Sequence, residues 1–390
     1  MNFLFNASCY KPAFKQGGPI YSVSALAEGL IRRGHEVTVL TPDLDLFEKM
    51  DVPLDRNVEI EGVQVRFFKT KPALLQRTRL PYFSRAGVYA HGPEVAEWLQ
   101  RVGKSIDVFH SQISFLPTNS LVSRYAKAEG KLYLYSQRGN LDPVRLKAGS
   151  LKKRIYIELI EKNVMRRADA LIALTPYEQD SFRRWVPEVA SEVIANGIEK
   201  SYGEKAPSVV SKQLGHLFLR CGQEMVFLWM SRIHPLKGPD IFVQAAIRAL
   251  QAGARFHAIL AGPDEAAMES ALKAMVMESG FGDRVHFCGT VKGADKLALL
   301  QRADCFVLPT ESEGFSMALL EALACRCAVL TSSGAHFDAI AHVGAGRVIP
   351  RTIESYAGAM CQYSEAGRSV LGEIARRSRG LIESHYTWDA

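Results

Sequence analysis

Short apolar runs alternate with stretches of helical spacing from one end of the chain to the other, the pattern of parallel sheets covered by helices. In the first half the runs are FLFNA at 3–7, VTVLT at 37–41, VQVRFF at 63–68, VFHS at 108–111, LYLYS at 132–136, LIALT at 171–175 and EVIAN at 192–196. Between the first two, Val23, Leu26, Ala27, Leu30 and Ile31 keep one helical face, and Gly34 stands where a helix C-cap belongs. The opening is therefore read as a βαβ unit.

The pattern restarts with MVFLWMS at 225–231, HAILAG at 257–262, VHFCGT at 285–290, CFVLPT at 305–310 and AVLTS at 328–332. The segment between the halves, NGIEKSYGEKAPSVVSKQ, is polar and carries glycine, serine and proline, as a linker does. These observations predict an α/β protein of two doubly wound domains, 1–197 and 198–371. A last helical stretch over 372–390 has no strand after it and is expected to cross back to the first domain. A chain of 390 residues has the length for two such cores.

Composition narrows the partners. With 47% hydrophobic and 23% charged residues, and no run approaching the roughly 18 apolar residues of a membrane span, the chain is expected not to cross a bilayer. The opening MNFLFNASCYKPAFK has no basic leader followed by a long apolar core, so cytoplasmic residence is the expectation. The seven cysteines are odd in number and sit mostly in apolar runs, which suits reduced core thiols. Cys325-Arg326-Cys327 has no matching second ligand pair, so zinc is not expected there.

The net charge of +7 belongs to the first half, where residues 1–200 hold 29 Lys and Arg against 22 Asp and Glu. It concentrates over 147–167, where Lys147, Lys152, Lys153, Arg154, Lys162, Arg166 and Arg167 face only Glu158 and Glu161. Two readings stand: a solvated helix face with i,i+4 pairs, or a surface for anionic lipid or a phosphate-bearing substrate. No nucleic-acid-binding motif accompanies the charge, and nucleic acid is not an expected partner.

Ligands of open α/β sheets bind beyond the carboxyl ends of the strands, so the residues after each run carry the weight, and two facing sheets would frame a cleft. After the first run, Gly17 and Gly18 precede a helix, where a backbone free of side chains can approach a phosphate; a plain tight turn explains them as well. After the first run of the second half, SRIHPLKGPDIF sets Arg232 and Lys237 five positions apart before a helix opening at Pro239. Two cations there would repel unless an anion sat between them, and a diphosphate fits.

CFVLPT then leads through Glu311–Gly314 into a helix expected over Phe315–Ala324. Glu313 falls on the loop, whereas Glu321 lies roughly 9 Å along the helix axis from Phe315, so the two carboxylates do not serve the same atom. Glu321, flanked by Leu319, Leu320, Ala322 and Leu323, needs a partner, and the hydroxyls of a ribose would supply one; an exposed helical glutamate is the plainer reading. Asp43-Leu44-Asp45 has the form of a cation site but is read as a solvated turn, the cations Arg232 and Lys237 already meeting that need. His110 ends IDVFH and Arg138 follows a strand in YSQRGNLDP, each with a structural reading beside a functional one.

Taken together, Gly17-Gly18, SRIHPLKG, Gly262, CGTV at 288–291 and above all E-x7-E from Glu313 to Glu321 resemble the GT-B glycosyltransferases of family 4, over most of the chain. The resemblance implies a GT-B fold and a retaining, metal-independent enzyme that uses a nucleotide sugar as co-substrate and no further cofactor. It assigns Arg232 and Lys237 to the donor diphosphate, Glu321 to the ribose, and Glu313 to the transferred sugar. Gly314, Phe315 and Ser316 would line sugar and phosphate through their backbone, Val291 the base, and Gly17 and Gly18 the diphosphate. His110 matches the histidine beside the reacting sugar. SQRGNLDP is similar to S-x-R-G-x-L-x-P of bacterial polysaccharide transferases, which makes Arg138 an acceptor contact.

Two departures stand out. Cys325-Arg326-Cys327-Ala328 occupies the place of the glycine and proline that relatives carry after this helix, and the sequence ends soon after Trp388, where relatives continue in helix, so the last helix is expected to be truncated. The implied acceptor is a saccharide or lipid-linked saccharide of bacterial polysaccharide or lipopolysaccharide assembly, met at the inner face of a membrane by a peripherally bound protein. A nucleotide-sugar epimerase of similar fold and a non-catalytic nucleotide-sugar-binding protein are the competing readings.

Overall fold

The computed structural model describes residues 1–14, 18–45, 48–72, 89–91, 93–147, 150–204 and 209–389. The chain divides into two compact units, Met1–Ala195 and Asn196–Ala390.

The first unit is built on an eight-stranded sheet. In spatial order it runs Ser191–Val193, Ala170–Ala173, Leu132–Ser136, Val108–Ser111, Asn2–Asn6, Glu36–Pro42, Val63–Phe68 and Val58–Ile60. All pairings are parallel except the last, a hairpin in which Val58–Ile60 folds back on Val63–Phe68. Its two turn residues, Glu61 and Gly62, both take positive φ (53° and 80°), the backbone that matches the twist of a tight hairpin. Leu4, Leu40 and Phe109 face one apolar layer while Phe5, Val37 and Val39 face the other, so both faces of the sheet are covered. The helix Gly18–Arg32 ends as its sequence predicts: Gly34 takes φ 80°, its N–H reaches Ile31 O, and the His35 N–H reaches Leu30 O.

The second unit carries a six-stranded, wholly parallel sheet in the order Val285–Gly289, Phe256–Ala261, Met225–Met230, Cys305–Leu308, Ala328–Thr331, Gly346–Val348. Numbered along this unit, that is 3-2-1-4-5-6, the order of a dinucleotide-binding sheet. The first unit's parallel strands follow the same order with one more strand at the edge. Along Met225–Met230 every side chain is buried, alternating between two layers: Val226 and Leu228 in one, Phe227 and Trp229 in the other.

The terminal helix spans Ile353–His385, with one break at Gly367, where φ is 74° and ψ 177°. It therefore starts well before the expected Gly372. Tyr356, Met360 and Leu371 pack into one layer of the second unit, and Leu381 and Ile382 into the other. Beyond it, Thr387 pairs with Ile198 in a short parallel bridge.

Two sequence expectations change here. EVIAN contributes only the half-exposed edge strand Ser191–Val193. The helix after CFVLPT begins at Met317, because the Ser316 hydroxyl accepts the Leu319 N–H and fixes the first turn there.

Candidate active site

In the second unit the strand order reverses between Met225–Met230 and Cys305–Leu308, and the loops leaving these neighbours, Ser231–Gly238 and Pro309–Ser316, form one stitched rim. The Glu311 N–H (2.7 Å) and the Thr310 hydroxyl (3.0 Å) both donate to Leu236 O. Arg351 spans the loops, donating to Pro309 O at 2.8 Å and to Pro235 O at 2.9 Å. From below, the Trp229 indole N–H holds Lys237 O at 3.1 Å. Gly238 ends the short turn Pro235–Lys237 in the left-handed region (φ 64°), and a Cβ there would lie 2.3 Å from Pro309 O. Only glycine lets the two loops approach this closely.

The rim presents Lys237 to Glu313. Lys237 Nζ and Glu313 Oε1 are 2.6 Å apart, with side-chain exposures of 8% and 10%. Glu313 is fixed through its backbone, which donates to Gly334 O at 2.8 Å; a Cβ on Gly334 would sit 2.4 Å from Glu311 O. Arg232 points elsewhere, in a two-pronged contact with Glu265 at 2.8 and 3.1 Å, and is half exposed. The expectation that only a bound anion reconciles two like charges is thus corrected. Each cation has its own carboxylate, supplied by a residue far away in sequence.

Glu321 lies inside the helix Met317–Ala324, buried, and its carboxylate meets Lys296 Nζ at 2.6 Å. The protein itself supplies the partner that its apolar flanks demand, and the plainer reading of an exposed glutamate is corrected. Ser316 caps the helix, Gly314 is buried, and the Phe315 ring packs against Phe337 and Tyr386 (centroids 5.3 and 5.9 Å). Phe315 therefore offers the rim its backbone, its ring being committed to the core. Val291, partly buried, packs on the same layer. After Ala324 the chain leaves the helix through Arg326 in the left-handed region (φ 64°), with the Cys327 N–H reaching Ala322 O and the Arg326 N–H reaching Leu323 O. This is the glycine-type helix stop built without glycine.

In the first unit the order reverses between Asn2–Asn6 and Val108–Ser111. His110 is buried there, its ring 5.6 Å from Phe5. The Gln112 amide donates to His110 Nδ1 at 2.9 Å, so the ring proton sits on Nε2 and is given to Ser136 Oγ at 2.9 Å. Burial, then the nearby Arg138 charge, press the imidazole down to about 3, keeping it neutral. Arg138 is itself buried in the left-handed region (φ 49°); its guanidinium donates to Gln112 Oε1 through two nitrogens and to Ser22 Oγ at 3.0 Å. Burial lowers it to about 10, with Glu178 and Cys9 opposing. Gln112 is thus the joint between the two residues that the sequence singled out, and its own signal was only its place two residues after His110.

Gly18 is the first residue of the helix Gly18–Arg32, and a Cβ there would meet nothing within 4 Å. Packing does not require a glycine; what it leaves open is the approach to the helix N-terminus. Gly17 lies outside the described residues.

Asp43 is no solvated turn. It is buried, accepting the Thr70 N–H at 2.9 Å, the Thr70 hydroxyl at 2.6 Å and Lys49 at 3.1 Å. At the amino ends of the second unit's strands, Cys221, His257 and His286 gather donor atoms within 4.8 Å. The two imidazoles face each other head-on, Nδ1 to Nε2 at 2.9 Å, with ring planes 22° apart and centroids 5.2 Å apart. One of these nitrogens donates its proton to the other, a hydrogen bond that would have to be given up for both to face a shared metal.

Residues 224–365 match the family described as Glycosyl transferases group 1, and residues 17–197 match the family described as Glycosyl transferase 4-like domain. The lipopolysaccharide core biosynthesis mannosyltransferase LpcC of Rhizobium leguminosarum bv. viciae is 32% identical over 192 residues, 48% of this chain and 52% of that protein. The D-inositol 3-phosphate glycosyltransferase of Jonesia denitrificans is 28% identical over 243 residues, 59% of this chain and 56% of the other. The chain thus spans about half the length of these curated relatives. Among solved structures, HepE of Anabaena, in complex with UDP and glucose, superposes with a TM-score of 0.73 at 19% identity, covering 100% of this chain and 96% of HepE. That likeness is one of fold.

Proposed function

Because both halves of the chain belong to the group 1, GT4-type glycosyltransferases of GT-B fold, we propose that it moves a sugar from a nucleoside diphosphate sugar to an acceptor hydroxyl, with retention of anomeric configuration and without a metal ion. The observation that carries this reading is the sealed Lys237–Glu313 pair on the rim where the second sheet reverses its order.

Charge grows on the diphosphate as the anomeric C–O bond breaks. Lys237, Arg232 and the N-terminus of the helix Pro239–Gln251 stabilise that charge more than the ground state. To do so Lys237 shares its proton donors between Glu313 and phosphate oxygen, and Arg232 turns from Glu265. The new C–O bond forms on the face that the diphosphate leaves, and the acceptor hydroxyl's proton passes to the departing phosphate oxygen. Glu313 orients sugar hydroxyls and the lysine together. Glu321, held by Lys296, takes the ribose, while the backbone of Gly314, Phe315 and Ser316 lines sugar and phosphate and Val291 the base. Gly17 and Gly18 meet the diphosphate, and the neutral His110 and Arg138, joined by Gln112, serve the transferred sugar and the acceptor.

The acceptor in this reading is a lipid-linked saccharide of polysaccharide or lipopolysaccharide assembly, which LpcC's name favours. A thermal-shift panel of UDP-, GDP- and ADP-sugars tests donor binding: a true donor at a hundredfold its Kd adds about 2.7 kcal/mol of stability. Incubating the stabilising donor with and without extracts of lipid-linked oligosaccharides then separates the classes. A transferase consumes donor only with an acceptor, an epimerase alters the donor sugar alone, and a binding protein does neither.

A further inference from the structure

The helical stretch from Ser150 to Arg166 has one face committed to the core of the first unit. Ile157, Glu161, Val164 and Met165 are buried, and the Tyr156 ring lies 5.6 Å from that of Phe115. A π-helical turn over Ile157–Glu161 keeps Ile157 and Glu161 both facing inward. The opposite face does not follow the usual rule for a surface helix. Leu151 is 71% exposed, Ile155 49% and Leu159 69%, at i, i+4 and i+8, and Ile160 is 37% exposed. At about 100° per residue Leu151, Ile155 and Leu159 form one stripe opposite Ile157, with Lys152 on one flank and Arg154 and Glu158 on the other, and Ile160 lies off the stripe.

We infer that this stripe is the segment by which the protein lies on an anionic lipid surface. Leu151, Ile155 and Leu159 enter the interfacial layer while Lys152 and Arg154 reach the headgroups. Two observations select lipid over a protein partner. The apolar stripe is narrow and has a cation on each flank, the carboxylate of Glu158 beside it being paired with Lys162, a profile that suits a helix lying in a membrane interface. The charge of the segment is also net positive toward solvent: Glu161 is buried, and the exposed Glu158 is balanced by Lys162 at 2.8 Å, so Lys147, Lys152 and Arg154 set the sign of the exposed side. Among the described residues no helix is long and apolar enough to cross a membrane, so attachment of this kind stays in the interface. This deepens the proposed function by naming the surface on which a lipid-linked acceptor would be met, and it rests on that reading only for the acceptor.

Flotation of the full chain with vesicles of phosphatidylglycerol and phosphatidylcholine, against phosphatidylcholine alone, tests the surface. The wild type should float with the anionic vesicles and not with the neutral ones, and should be partly released by high salt. Leu151→Ser/Ile155→Ser/Leu159→Ser and, separately, Lys152→Glu/Arg154→Glu should each cut partitioning about tenfold or more. Both variants should keep the wild-type melting temperature and its shift with the stabilising nucleotide sugar, which shows that fold and donor site are intact. Equal flotation of wild type and variants, or no flotation of the wild type, overturns the inference while leaving the donor shift to stand. Concentration-dependent dimerisation of the wild type that the serine variant abolishes, without flotation, overturns it in favour of a second copy of the chain. Flotation without any nucleotide-sugar shift would instead keep the surface and remove the transferase reading.

Discussion

Lys237 Nζ sits 2.6 Å from Glu313 Oε1, joining residues 76 positions apart across the two loops that leave neighbouring strands. Both side chains are nearly closed to water, so neither charge is screened and neither tolerates losing the other. Lys237→Met and Glu313→Gln should each destabilise the second unit by about 3–5 kcal/mol, whereas the double substitution should recover much of that loss. Urea midpoints of the four proteins measure it. Additive losses would mean that the contact carries no coupling.

The buried Glu321 and the partly exposed Lys296 form a second pair, and the ribose assignment gives it a chemical readout. Glu321→Gln should weaken binding of the ribonucleotide donor about tenfold while leaving the 2′- and 3′-deoxy analogues nearly unchanged, since the lost contact is to those hydroxyls. Titration calorimetry with the paired nucleotides reads the ratio. If the variant weakens all analogues equally, the carboxylate does not face the ribose.

Two buried groups set opposite pH dependences. His110 is held at about 3 against an ordinary 6.5, so the unfolded chain takes up the proton first; its contribution to stability is present above pH 6.5 and is lost as the pH falls toward 3. Glu161, raised by burial to about 7 from 4.5, has the other sign: its contribution is full below 4.5 and is lost as the pH rises through 7. Stability measured against pH should become shallower on the acid side in His110→Asn and on the alkaline side in Glu161→Gln, the remaining slopes belonging to His286, lowered to about 4, and Glu178, raised to about 7. The neutral His110 should also leave no limb near pH 6.5 in the rate profile.

Arg326 stands in the left-handed region at the end of the helix Met317–Ala324, its side chain exposed. Holding an L side chain there costs roughly 1–2 kcal/mol. Arg326→Gly should therefore raise the melting temperature, the gain in stability being about 1 kcal/mol after the unfolded chain's added freedom is subtracted. A lower melting temperature would show that the arginine makes contacts worth more than the strain.

Much of this architecture was legible in the sequence. VQVRFF, VFHS and LYLYS give the strands Val63–Phe68, Val108–Ser111 and Leu132–Ser136 to the residue: VFHS is buried throughout, while VQVRFF is marked by alternation, with Val63, Val65 and Phe67 buried and Gln64 and Arg66 half exposed between them. Val58–Ile60 and Gly346–Val348 are not legible in the sequence because three-residue edge strands, half exposed, leave too short a pattern; the Glu61-Gly62 turn is the sign of the first. Among the candidate residues, the sequence singled out Arg232, Lys237, Glu313, Glu321, His110 and Arg138 but could not supply Glu265, Lys296 or Gln112. Those partners are set by pairings 33, 25 and 26 residues apart, which exist only after the sheets have formed. The helix starts at Met317, two residues after the expected Phe315, for a local reason: the Ser316 hydroxyl takes the cap at a position that the apolar pattern places inside the helix.

The central claim is that Lys237, aligned by Glu313, holds a nucleoside diphosphate on this rim. The most direct measurement is the ratio of affinities for a nucleoside diphosphate and its monophosphate, taken by calorimetry on the wild type and on the charge-balanced Lys237→Met/Glu313→Gln protein. The account predicts that the variant, still folded, loses the diphosphate preference by about a hundredfold while monophosphate binding stays within a few-fold. An unchanged preference in the folded variant would place the diphosphate elsewhere and contradict the account.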